Sequence, residues 1–117
     1  MKHLLMILVA FSLCLPVAAQ DKEKRLSKDF KSLKALAEKG DAEAQNKLGD
    51  RYYHGQGVEK DLAEAVKWYR KSAEQGNAYG QYRLGVMYYY GEGVEKDFKE
   101  AVKWFRKSVE QGNSDGQ

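Results

Sequence analysis

Beyond position 20 the apolar residues of this chain are widely spaced and return at intervals of three and four. Leu48 and Tyr52 stand four apart, as do Leu84 and Tyr88, and Ala65, Trp68 and Tyr69 form a second kind of stripe, with Lys and Glu between. That period is helical and predicts an all-α protein of amphipathic helices. The punctuation agrees. Asp41 and Asn77 each follow a Gly and read as N-caps of a first helix, which Gly55 and Gly91 stop. Asp61 and Asp97 cap a second helix, with Glu64 and Glu100 in capping-box spacing, and Gly76 and Gly112 are expected to close it. The loops Gly55-Gln56-Gly57-Val58 and Gly91-Glu92-Gly93-Val94 call for positive φ at one or both glycines.

Gly40, Gly76 and Gly112 recur at intervals of 36 residues, and about two-thirds of the positions between them are identical in the two copies. Such a period marks a stacked repeat. Residues 40–75 form one helical hairpin and 76–111 a second, while 112–117 open a truncated third. Residues 20–39, with Phe30, Leu33, Leu36 and Ala37 at helical spacing but without the Trp and the caps, read as a degenerate N-terminal capping helix. The core residues shared by the copies are Leu48, Gly49, Tyr52 and Trp68, and Leu84, Gly85, Tyr88 and Trp104. Gly inside a helix costs about 1 kcal/mol relative to Ala, so Gly49 and Gly85 suggest that another helix passes close there. A hairpin of this kind cannot bury its apolar face alone, and stacking gives an α-solenoid. Solenoids generally need about three repeats, so the sequence reads as a truncated product, a gene fragment or a small protein completed by a partner.

The pattern A-x-x-Q-x-x-L-G-x-x-Y-Y-x-G-x-G-V-x-K-D followed by A-V-K-W runs from Ala42 to Trp68 and again from Ala78 to Trp104. It resembles the Sel-one-like repeat, a relative of the tetratricopeptide repeat. The resemblance implies a solenoid of antiparallel hairpins serving as a protein–protein interaction module, an adaptor or scaffold. The same family includes secreted cysteine-rich members described as penicillin-binding proteins or weak β-lactamases, so a cysteine-free relative of those hydrolases is an alternative. No Ser here has Lys three residues on, and neither Ser-Asp-Asn nor Lys-Thr-Gly occurs, so the enzymatic reading has few residues to stand on. A structural remnant without its own partner is the remaining alternative.

The N-terminus carries different information. Lys2 and His3 precede an apolar run from Leu4 to Leu15, interrupted only by Ser12, and Pro16-Val17-Ala18-Ala19 follows. Residues 1–19 thus read as a signal peptide cleaved after Ala19, which places the mature protein in the periplasm or outside the cell. The run is shorter than the roughly 20 residues of a membrane-spanning helix, so no integral membrane segment is expected after cleavage. Leu13 before Cys14 departs from a lipoprotein signal, and the mature chain is free of cysteine.

Charge adds little. Lys and Arg number 20 and Asp and Glu 17, a net +3, but the signs alternate along the mature chain rather than forming a basic stripe, which argues against a nucleic-acid partner. After cleavage His54 is left without a cysteine or second histidine, a poor metal site, and Gly55-x-Gly57 lacks the rest of a phosphate-loop fingerprint. Gly112-Asn113-Ser114-Asp115-Gly116 fits the nucleophile-elbow pattern but aligns with the repeat junction Gly76–Gly80 and reads as coincidence. No cofactor, metal or catalytic residue is expected.

In a solenoid, recognition can be written where the copies differ. The largest differences fall on the first helix: Glu43 becomes Tyr79, Asn46 Tyr82, Asp50 Val86, Arg51 Met87 and His54 Tyr90. Tyr79, Tyr82, Val86 and Tyr90 share one helical face, and together with Met87 are the candidate contacts for a protein or peptide partner. Packing of that stripe against a neighbouring repeat is the competing reading.

Overall fold

The computed structural model describes residues 17–115, and its regular structure consists of five α-helices, with no strand among the described residues. They are α1 (Val17–Glu38), α2 (Ala42–His54), α3 (Leu62–Glu74), α4 (Ala78–Tyr90) and α5 (Phe98–Asp115). The leader as far as Pro16, including Cys14, lies outside the described residues, and the expected cleavage position after Ala19 falls in the first turn of α1.

The caps form where the sequence places them. The carboxylates of Asp41, Asp61 and Asp97 and the amide oxygen of Asn77 accept the N–H groups of Ala44, Glu64, Glu100 and Gly80 at 2.9–3.2 Å. Each such cap is worth about 1 kcal/mol. Gly55 and Gly91 end α2 and α4 in the left-handed region, at φ 71° and 68°, with their N–H groups on the carbonyls of Arg51 and Met87. Asp61 and Asp97 then serve both helices of a hairpin. Their side chains cap the second helix, while their own N–H groups donate to the carbonyls of Tyr52 and Tyr88 at 2.9 and 3.0 Å, satisfying orphan acceptors of the first.

Each helix packs on its sequence neighbours and α2 also touches α4, the contact order of a solenoid. Trp68 joins Ala37, Ala44 and Leu48 in one core, with Phe30, Leu33 and Tyr52 at its edge. Ala65, Val66, Tyr69 and Ala73 of the same α3 face the other way, into a second core with Leu84, Met87 and Trp104. Tyr52 and Tyr88 are half-buried at the margins of these cores. The helix passing close to each internal glycine is the hairpin partner. A Cβ on Gly49 would lie 2.6 Å from the Tyr69 ring, and one on Gly85 would lie 2.7 Å from the Phe105 ring.

Three expectations need correction. Gly112 does not stop its helix, since α5 continues to Asp115. At Gly76 the turn is held by Asn77, which caps α4 and receives the Asn46 amide at 2.8 Å. Leu36 is half exposed, because Ala37 takes the place against α2 and its neighbour is turned about 100° away. Met87 is completely buried and is a core residue rather than a contact for a partner.

Candidate binding surface

How α3 and α4 join defines what a free surface means in this molecule. On α4, Gly80 and Gln81 lie in the joint with the preceding hairpin. A Cβ on Gly80 would lie 2.7 Å from Ser72 Oγ and 2.9 Å from both Ala73 N and Asn46 Oδ1, so the helices meet there almost backbone to backbone. The buried Gln81 donates from Nε2 to the Ala73 carbonyl at 3.3 Å and accepts from Gln111 Nε2 at 3.3 Å. Gln45 repeats the device one unit earlier, donating to the Ala37 carbonyl at 3.0 Å and accepting from Gln75 at 2.8 Å. The glutamine of the A-x-x-Q pattern is therefore a clasp on the end of the helix before it.

A second polar cluster crosses the same joint. Asp50 on α2 accepts the phenol of the fully buried Tyr69, accepts the Tyr79 hydroxyl at 3.1 Å, and lies 4.0 Å from Arg83 Nε. The Arg83 guanidinium stacks over the rings of Tyr53 and Tyr69, at 4.7 and 5.2 Å, and Tyr53 donates to Glu92 at 2.9 Å. Burial first, then the hydrogen bond to Asp50, pushes the Tyr69 phenol far above its ordinary range, with Arg83 offsetting only part of the shift. Tyr69 is thus a fixed proton donor that orients the Asp50 carboxylate.

The four candidate positions divide across this framework. Tyr79 leans back across the joint to Asp50, although nearly half its surface stays open. Tyr82, Val86 and Tyr90 share a pocket of about 310 Å³ with Arg83, Tyr89 and Phe105, on the side of the second hairpin away from the joint. Tyr82 is 50% exposed and Tyr90 65%, and the Tyr82 ring centroid is 5.9 Å from that of Phe105. Tyr89 stacks edge-on against Tyr90 and Phe98 at 4.9 and 5.4 Å, which fixes the aromatic rim.

Residues of α5 that the sequence reading passed over complete the surface. Phe98, Val102, Phe105 and Val109 form one stripe at helical spacing, and Phe98, Val102 and Val109 are 53%, 51% and 59% exposed. Their counterparts one unit earlier are Leu62, Val66, Tyr69 and Ala73, of which the last three are at most 6% exposed in the joint. Comparing α3 with α5 in the repeat alignment would have found this stripe. The polar joint had a signal too, since Gln45 and Gln81 are kept in both copies on the apolar side of the helix.

What the surface can do chemically follows from its groups: phenol hydroxyls, aromatic rings, valine methyls and one guanidinium, suited to contact with another protein. No group of three or more His, Cys, Asp or Glu able to hold a metal ion occurs among the described residues. His54 stacks edge-on against Tyr53 at 5.0 Å. Gly112 to Asp115 continue α5, so the backbone there is helical rather than a strand-to-helix elbow.

A family model described as the Sel1 repeat matches residues 42–77 and 78–113. Solved structures are similar over most of the chain. One is c5321, a protective antigen present in uropathogenic Escherichia coli strains displaying an SLR fold, with 43% identity, a TM-score of 0.72, and coverage of 74% of this chain and 18% of the antigen. A Sel1 repeat protein from Oxalobacter formigenes shares 38% identity, with a TM-score of 0.69 and coverage of 70% and 63%. Helicobacter pylori cysteine rich protein B shares 30% identity, with a TM-score of 0.70 and coverage of 81% and 86%. The chain thus spans less than a fifth of the antigen and less than two-thirds of the Oxalobacter protein. A search of the curated proteins finds no match.

Proposed function

From the premise that the chain belongs to the Sel1 repeat family, whose repeats generally mediate protein–protein interaction, we propose that it is an exported binding module that contacts a protein through the open face of its second hairpin. The observation that carries this reading is the half-exposed stripe of α5 together with Tyr82, Val86 and Tyr90 of α4. Contiguous apolar surface of that kind marks an interaction site on a soluble protein. Export rests on the leader of residues 1–19, and predicts that the protein recovered outside the cytoplasm begins at Gln20, as N-terminal sequencing would read.

The test of binding is affinity capture from an envelope extract with the parent chain and with a Tyr82→Ser, Val86→Asp, Tyr90→Ser variant of unchanged circular dichroism. A protein retained by the parent and lost by the variant is the expected result. Equal retention by both would move the binding site off this face, and no retained protein would remove the reading.

A further inference from the structure

Two pockets flank α2, and Lys47 and Asp50 line both. One, of about 440 Å³, lies between α1 and α2, with Asp29, Leu33, Leu36 and Arg51 on its wall. The other, of about 350 Å³, lies between α2 and the start of α4 and is lined by Glu43, Asn46, Asn77 and Tyr79. Both sit inside the array, between helices that pack on one another, and neither shares a residue with the pocket of Tyr82, Val86 and Tyr90.

The groups around the second pocket favour positive charge. Asp50 is held in place there: Tyr69 donates to its Oδ1, and the Tyr79 hydroxyl reaches both oxygens at 3.1 Å. Arg83 offsets part of the charge from 4.0 Å at Oδ1, while Oδ2 accepts the Tyr79 hydroxyl and no other hydrogen bond among the described residues. Asn46 is 5% exposed and donates to Asn77, but its Oδ1 has no donor. A carbonyl oxygen left unmatched in a low-dielectric wall adds negative potential to the space beside it. Glu43 supplies a second carboxylate, and the half-exposed Tyr79 ring on the same wall favours a cation too. Lys47 is the one cation on this wall. Its side chain is 64% exposed and lies 3.9 Å from Glu43, a surface pair weak enough to open. One unit later Glu43, Asn46 and Asp50 become Tyr79, Tyr82 and Val86, so the acceptor set occurs once in the two repeats.

The first pocket asks for something different. Leu33 and the half-exposed Leu36 make it apolar, and Arg51 on its wall keeps a buried Nη1 without an acceptor, a donor that a backbone carbonyl would satisfy. Grooves on the two sides of one helix lie about one interhelical spacing apart, about 8–10 Å. A polyproline-II segment advances about 9 Å in three residues and returns its side chain to the same face.

We propose that α2 carries a second binding site, distinct from the α4–α5 face, for an extended segment of a partner protein. The segment places an apolar side chain between α1 and α2 and a lysine or arginine, three residues away, between α2 and α4. Asp50 and Glu43 hold the cation, and Tyr69 is a positioning residue that fixes the Asp50 carboxylate.

An NMR titration of the 15N-labelled full chain, as its expression host processes it, tests this with the peptide acetyl-Pro-Leu-Pro-Pro-Lys-Pro-amide and its arginine, norleucine and glutamate counterparts at the lysine position. The expected result is saturable shifts of the amides of residues 43–50 and 77–79 with the lysine and arginine peptides, the tighter of the two naming the cation. The norleucine and glutamate peptides should bind at least about tenfold more weakly. Asp50→Asn, which keeps an acceptor for Tyr69, should weaken the cationic peptides at least about tenfold, and Glu43→Lys at its exposed position at least about threefold. Glu74→Lys, the same charge change on a residue that lines neither pocket, should bind as the parent does. Absence of shifts with both cationic peptides, equal binding of the norleucine peptide, or shifts centred on another face would each overturn the site. Binding of n-butylammonium as tight as that of the lysine peptide would overturn a protein segment as the occupant. Should Asp50→Asn unfold, Glu43→Lys decides alone, and unchanged affinity in that variant overturns the proposal.

Discussion

Replacing Gly80 by Ala separates two ways of reading a repeat. Ala44 occupies the equivalent place in the first unit, so repeat logic would make the change harmless, and helix propensity would credit it with up to about 1 kcal/mol. The geometry says otherwise. The new methyl would stand 2.7 Å from Ser72 Oγ and 2.9 Å from Ala73 N. Ser72 can turn its hydroxyl away, but Ala73 N belongs to the backbone of α3, and α4 is tied to that same residue by the Gln81 clasp. Over-packing of this kind costs about 1–3 kcal/mol. A net loss of about 1–2 kcal/mol is expected once the propensity gain is subtracted. Urea unfolding followed by helical circular dichroism measures it. Ser72→Ala combined with Gly80→Ala should recover only part of the loss, since the backbone contact persists. A Gly80→Ala protein as stable as the parent, with an unchanged denaturant slope, would refute the claim that backbone approach fixes the joint.

Truncating the clasps should cost about 1–3 kcal/mol each, because a buried carbonyl loses its donor, and Gln45→Ala should cost more than Gln81→Ala because its bonds are shorter. Leu84→Ala, at a fully buried site, should lose about 2–5 kcal/mol, whereas Leu36→Ala at its half-exposed site should stay within about 0.5 kcal/mol of the parent in the same urea titration. Alkaline stability should report Tyr69: the native state keeps a proton that an unfolded tyrosine releases near pH 10, so the stabilisation is complete below about pH 10 and declines above it. Tyr52, Tyr53 and Tyr79 are displaced in the same direction, so Tyr69→Phe should shallow the fall in melting temperature above pH 10 without abolishing it.

Much of the architecture was legible because local chemistry and repeat period agree. Asp41, Asp61, Asn77 and Asp97 cap helices whatever lies around them, and Gly55 and Gly91 sit where a left-handed residue is required. What the sequence left open depends on neighbours. Gly112 and Gly76 stand at equivalent positions, yet Gly76 turns at φ 91° with Asn77 capping α4 behind it, whereas α5 runs on through Gly112 to Asp115. Met87 looked like a variable surface position because its counterpart is Arg51, but on α4 that direction points into the joint with α3, and the side chain is engulfed. Arg51 faces α1 instead, beside a pocket that includes Asp29 and Leu33.

The same dependence on neighbours explains why the candidate surface was only half seen. Asp50 and Val86 differ, and the difference suggested recognition at Val86; the structure shows that the more specialised member of the pair is Asp50, which gathers Tyr69, Tyr79 and Arg83 into one joint. Val86 has no such cluster to serve because its α5 partner is Phe105, a ring without the hydroxyl that Tyr69 uses. Loss of the carboxylate and loss of the phenol are thus two sides of one change, and neither would make sense alone: a buried phenol without Asp50, or Asp50 without its donors, would leave polar groups unmatched. Together they convert a hydrogen-bonded joint into an apolar face. Restoring both, as Val86→Asp with Phe105→Tyr, should therefore make the open end polar at smaller cost than the sum of the single changes, a coupling that a double-mutant cycle in urea would read directly. Simple additivity of the two single changes would show that Val86 and Phe105 act as separate surface residues rather than as one rewritten joint.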